Sequence, residues 1–281
     1  MTYGTPMTDE QRFFYDLRGW ILLPAVLSEE EIAPLKEQCY SGIAHGYLGA
    51  VQELLDHPAI TGILAELLSE PHYDREDSYP FRCEGSFVTV RHAGWRKEDL
   101  GGTEMPHVVR PPQHANPMRY QVAGNRIFSG LTRVVWELEE VKAGTGGTSF
   151  LSGSHKANFP YGGPDPYQPD TAGSPWETRL RAMMDTYGCP PGSALIFTES
   201  LLHASEDWTN RDNPRCAIFN CYNSVWAQWH LMATGDELAW SPEFAETMPP
   251  ERRSLFRGVW QLGTLHGIEG NVAYAEDNRA M

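Results

Sequence analysis

Two residues in the C-terminal third have types and spacing that invite chemistry. His203 follows Gly192-Ser193-Ala194-Leu195-Ile196-Phe197-Thr198-Glu199, a turn and an apolar strand, and so stands where that strand would end. Arg215 comes 12 residues later and opens another apolar run, Cys216 to Tyr222. If these segments pair antiparallel, the two side chains lie at one end and face one cavity. An imidazole there suits a divalent metal, and a guanidinium suits a carboxylate. Taken alone, the same pair also fits a structural histidine and a strand-end arginine. A third segment, Gly146-Gly147-Thr148-Ser149-Phe150-Leu151-Ser152-Gly153-Ser154-His155-Lys156, sets glycines on both sides of a short apolar strand. That pattern implies tight turns or close backbone approach, and by composition it is a hairpin corner.

The elements that must position these residues are legible in outline. Thr8 followed by Asp9 and Glu10 starts a helix, and Gly19 to Pro24 reads as a short strand. Ser28 and Glu31 form a capping box for a helix running to about residue 43. Ile60, Ile63, Leu64, Leu67 and Leu68 share one face of a helix over residues 58–69. The period then shortens. Residues 86–90, 127–138, 149–151, 193–197 and 216–222 read as strands, while 92–125 and 160–176 read as irregular excursions and the tail from about residue 226 resists assignment. Helices first and strands afterwards predict one α+β domain over residues 1–281 with a mainly β core.

Composition agrees. Hydrophobic residues make up 41%, enough for a sizeable core, and 26 Gly with 21 Pro suit many short strands and turns. The formal net charge is −15 and no Lys/Arg run occurs, which argues against nucleic acid and for a small-molecule substrate. The five cysteines include no C-x-x-C pair and are expected as free thiols, with Cys216 and Cys221 in buried packing. The N-terminus lacks a secretory pattern and no apolar stretch reaches membrane-spanning length, so a cytoplasmic protein without a membrane partner is expected. The oligomeric state is not readable from the sequence.

Four segments together resemble the phytanoyl-CoA dioxygenase family of Fe(II)/2-oxoglutarate-dependent oxygenases. Phe13 to Ile32 resembles its N-terminal helix, strand and helix. Trp136 to Val141 followed by GGTSFLSGSHK resembles its strand ending in G-x-x-x-x-P-G-S-H-K, with Ser152 in place of the proline. PPGSALIFTESLLH resembles the strand before its distal metal histidine, and Arg215 matches its 2-oxoglutarate-binding arginine. The resemblance covers about residues 8–226. It implies a double-stranded β-helix (a jelly-roll, cupin-like fold) flanked by N-terminal helices, with Fe(II), 2-oxoglutarate and O2. His203 would be the distal iron ligand, Arg215 would hold the far carboxylate of 2-oxoglutarate, and Trp136 would line the co-substrate pocket. His155, within the G-S-H-K segment, is taken as structural.

The chain departs from the family at the proximal ligands, an H-x-D or H-x-E pair. His107 is followed by Val108-Val109, and His114 heads His114-Ala115-Asn116, with an amide in place of the acid. His107 is preferred on its spacing to Trp136, with His114 and Asn116 as the alternative. Neither option brings a carboxylate. The third ligand then comes from elsewhere, such as Glu104 or Asp99, or the vacant position takes halide and the outcome is halogenation. As a third possibility, the chain is a binding protein without iron.

Overall fold

The computed structural model describes residues 3–42, 47–69, 78–97, 106, 119–157, 175–227 and 246–257. Two capped helices flank the first strand. α1 (Asp9–Arg18) starts at a Thr8/Gln11 capping box and stops at Gly19, whose φ of 86° only a residue without Cβ adopts easily. β1 (Trp20–Leu23) follows, then α2 (Glu29–Tyr40), capped by Ser28 and Glu31 as the sequence predicts. A 3-10 segment (Gly49–Asp56) leads into α3 (Pro58–Leu68), where proline at the helix start is well placed because its missing N–H has no partner there anyway.

The remaining strands are β2 (Phe81–Arg91), β3 (Tyr120–Ala123), β4 (Arg126–Ser129), β5 (Leu131–Glu137), β6 (Gly147–Phe150), β7 (Ser193–Thr198), β8 (His203–Glu206) and β9 (Arg215–Ser224). A helix, α4 (Pro175–Arg181), precedes β7. One antiparallel sheet has the order β1-β7-β5-β9-β2, while β3-β4 and β6-β8 form separate antiparallel pairs. The architecture is therefore mixed α and β with a mainly antiparallel core.

The sequence reading of one strand over 127–138 is corrected. The run breaks at Gly130, with β4 pairing β3 and β5 entering the main sheet between β7 and β9. An apolar run carries no mark of a change of partner, so periodicity joins what the fold divides. β3 and β8 escaped the reading because neither is an apolar run: Tyr120–Ala123 is largely exposed, and His203–Glu206 is mostly polar.

The sheet has two distinct faces because side chains alternate. Its outer face carries Val134, Trp136, Ile196, Ile218 and Tyr222, which pack with Leu35 and Cys39 of α2 and with Ile60, Ile63, Leu64 and Leu67 of α3. Its inner face carries Val135, Leu195, Phe197 and Ala217, which pack with Trp20, Phe150 of β6, Tyr187 and Trp208. The β6-β8 pair thus lies over the inner face, held by Phe150 against Phe197 with ring centres 5.0 Å apart. All five cysteines are free and buried. Among the described residues no helix is long and apolar enough to cross a membrane.

Candidate active site

His203 opens β8 and points between the sheets, its ring 4.9 Å from that of Phe197. It is 6% exposed, and its Nδ1 lies 2.8 Å from the Leu201 carbonyl. A carbonyl only accepts, so Nδ1 carries the proton. In the neutral ring that puts the lone pair on Nε2, the tautomer a metal-ligating imidazole uses. Facing Nε2 at 3.5 Å is Oε2 of Glu199, a carboxylate 2% exposed at the end of β7. The other oxygen of Glu199 accepts a 2.6 Å hydrogen bond from Arg133 Nε on β5. One imidazole nitrogen and one carboxylate oxygen, oriented by a carbonyl and a guanidinium, make a donor pair suited to Fe(II). Among the described residues no group of three or more His, Cys, Asp or Glu side chains is placed to hold a metal. His107, His114, Asn116, Glu104 and Asp99 lie outside the described residues.

Arg215 opens β9 on the same inner face and is 1% exposed. The antiparallel pairing of the His203 and Arg215 strands expected from the sequence is corrected. β8 pairs with β6 and not with β9, and His203 sits at the end of β8 remote from the turn leading to Arg215. His203 on the β6-β8 pair and Arg215 on the main sheet are joined along two walls. One wall runs from His203 through Phe197, Phe150 and Tyr187 to Glu137. The other runs through Glu199 and Arg133 to Phe87, which stacks on Phe219 with ring centres 4.7 Å apart, and Phe219 lies beneath the Arg215 guanidinium.

The guanidinium is already engaged. Its Nε and Nη2 donate to the two carboxylate oxygens of Glu137 at 3.2 and 2.5 Å, and Tyr187 Oη–H donates to Glu137 Oε1 at 2.5 Å. Burial opposes the charge on Arg215, but the carboxylate of Glu137 outweighs it and raises the pKa. Burial, joined by the charge of Glu137, pushes the Tyr187 hydroxyl well above its ordinary value, so it stays a donor. Nη1 of Arg215 donates no hydrogen bond to any described residue. A buried guanidinium is the right chemistry for the far carboxylate of 2-oxoglutarate, but its two-pronged edge holds a carboxylate of the chain itself.

Trp136 is not with these groups. Strand alternation turns it to the outer face, where Nε1 donates to Asn220 Oδ1 at 2.9 Å and the ring meets His57 edge-on. Its expected place along the co-substrate pocket is corrected: the inward neighbours on β5 are Val135 and Glu137. His155 ties the G-S-H-K segment to α1. Its Nε2–H donates to the Asp16 carbonyl at 3.0 Å and its ring meets Tyr120 edge-on, while burial pulls its pKa down to about 4. An open cleft of about 570 Å³ beside it, lined by Asp16, Arg119 and Tyr120 among others, contains neither His203 nor Arg215. Glu199 and Glu137 were missed by sequence reasoning. Glu199 lay in the quoted strand, four residues before His203, and the absent H-x-D acid was the signal to look for a nearby carboxylate.

A family model described as phytanoyl-CoA dioxygenase matches residues 47–217. A comparison with curated protein sequences finds no match. Among solved structures, apo HygX from Streptomyces hygroscopicus is similar at 14% identity and a TM-score of 0.58, over 80% of this chain and 90% of that one. The same protein with nickel and 2-oxoglutarate bound gives 15% identity and a TM-score of 0.57, over the same 80% and 90%. The non-heme α-ketoglutarate-dependent epimerase SnoN from nogalamycin biosynthesis gives 19% identity and a TM-score of 0.51, over 80% and 84%. At such identities the likeness concerns the fold.

Proposed function

The chain belongs to the phytanoyl-CoA dioxygenase family, and from that premise we propose that it is an Fe(II)/2-oxoglutarate-dependent oxygenase acting on a C–H bond of a small molecule. The five-stranded sheet and the β6-β8 pair over it serve as the two walls of a double-stranded β-helix. The observation that carries this reading is the His203 ring, fixed by Leu201 so that Nε2 faces the interior and Glu199.

His203 and Glu199 would hold the metal, together with His107 or, less well spaced, His114 and Asn116. Iron with 2-oxoglutarate and O2 supplies an oxidant for an unactivated C–H bond, with 2-oxoglutarate converted to succinate and carbon dioxide. The chain's own residues orient and insulate. Arg133 fixes Glu199 by holding the oxygen turned away from His203. Arg215 meets a carboxylate of the co-substrate through Nη1. Phe87, 44% exposed and stacked on Phe219, offers a flat apolar wall for the substrate. Phe197 and Phe150 exclude water beneath His203.

A halogenase of this family would leave the third protein ligand out, and Glu199 beside His203 favours the oxygenase. HygX, similar in fold, has been solved with hygromycin B bound, which suits a small-molecule substrate here. The test is anaerobic addition of Fe(II) and 2-oxoglutarate. The reading expects a weak visible charge-transfer band, and succinate once oxygen is admitted. No band and no thermal shift with either additive would sink it.

A further inference from the structure

Glu137 lies on β5 in register with Ala217, so it is the diagonal neighbour of Arg215 on the same face. Glu137 is fully buried and Arg215 nearly so, and the side-chain hydrogen bonds of the pair among the described residues stay within Arg215, Glu137 and Tyr187. A guanidinium presents two usable edges to carboxylates. Glu137 takes the Nε/Nη2 edge, which leaves an incoming carboxylate the Nη1 side alone. That carboxylate would share one positive charge with Glu137 in a low-dielectric interior, where like charges repel strongly.

We propose that Glu137 is a built-in competitor for the carboxylate of 2-oxoglutarate and sets the affinity of this chain for dicarboxylates. The proposal rests on the function proposed above, since it assigns Arg215 to the co-substrate. Tyr187 is a positioning residue: its hydroxyl holds Glu137 on the arginine. On this account the wild-type protein binds 2-oxoglutarate weakly, and removing the Glu137 charge turns a self-satisfied pair into an open anchor.

The test uses calorimetric titration of the full chain with glutarate, which has the two carboxylates but no keto group and so needs no metal, and with 2-oxoglutarate plus Mn(II). Glu137→Gln should bind both at least about tenfold more tightly than wild type, because repulsion between close buried charges is worth kcal/mol. Tyr187→Phe, which leaves the ion pair intact, should give a smaller gain. Arg215→Met should remove the gain from the Gln variant. If Glu137→Gln unfolds without ligand, glutarate should restore its thermal transition while leaving the wild-type transition in place. Equal or weaker glutarate binding in both variants, or an unfolded Gln variant that glutarate does not rescue, overturns the proposal. Failure of the oxygenase reading looks different: no Mn(II) binding in any variant, whatever glutarate does.

Discussion

Oε2 of Glu199 stands 3.5 Å from Nε2 of His203, across the short turn that joins β7 to β8. Two atoms that ligate one cation lie at about this separation, so the turn itself brings the donors together. Glu199→Gln keeps the shape and removes the charge. It should weaken Mn(II) or Co(II) binding by about tenfold to a hundredfold or more. Metal titration followed by paramagnetic resonance checks this, and unchanged affinity would leave Glu199 as no more than the partner of Arg133.

The buried pair Arg215–Glu137 makes a separate statement about stability. Truncating one member leaves the other charged and dry, so Arg215→Met should cost about 3–5 kcal/mol. The double variant Arg215→Met/Glu137→Leu should recover most of that loss, since apolar replacement of both partners is often neutral. Urea unfolding of the wild type, both single variants and the double variant gives the coupling. A double variant as unstable as the sum of the single ones would contradict the assignment.

His155 links stability to pH. Its folded pKa is pushed down to about 4 from an ordinary 6.5, chiefly by burial, with a smaller push from Lys156. The unfolded chain therefore binds the proton first as pH falls. The contribution is fully present above pH 6.5 and is lost between there and about pH 4. Its size is roughly 2–4 kcal/mol. Carboxylates titrate over part of that range, so the measurement is the difference between wild type and His155→Phe. A variant with the same pH slope as wild type would refute the assignment.

Gly19 ends α1 with φ 86°, and a Cβ there would meet His155 Nδ1 at 2.7 Å and Leu201 Cδ1 at 3.0 Å. Gly19→Ala thus suffers both backbone strain and a clash against a buried ring. A loss of about 2 kcal/mol or more is expected in thermal or urea unfolding. Because Leu201 carries the carbonyl that orients His203, the same variant should also lower metal affinity.

All five thiols are buried, so the folded protein should react with an aromatic disulfide reagent far more slowly than the denatured chain. One fast equivalent in native buffer would show that a cysteine opens locally.

What the sequence made legible divides along physical lines. Capping chemistry is local, and α1 and α2 begin where Thr8 and Ser28 require. The inner strands β7 and β9 are short apolar runs with clear edges, and they were found. The break at Gly130 was not, because strand pairing is decided by distant partners. At the site, residue type and spacing singled out His203 and Arg215, and both point inward. Trp136 failed by one step of parity: a single residue along β5 exchanges the inner face for the outer. The partners Glu199 and Glu137 were invisible as partners, since a glutamate in a strand announces no counter-ion until the sheet is assembled.

The order of strands across the main sheet also bears on how the chain reaches its native state. Its two edges, β1 and β2, are made from the first third of the sequence, whereas the three central strands come from residues 131–224. Trp20 finds Phe197, and Phe81 finds Ser224, across most of the polypeptide. During synthesis the N-terminal helices therefore emerge with their apolar stripes and no surface to cover them. Such a high contact order makes for slow folding after release, with a greasy, aggregation-prone interval that a chaperone would shorten.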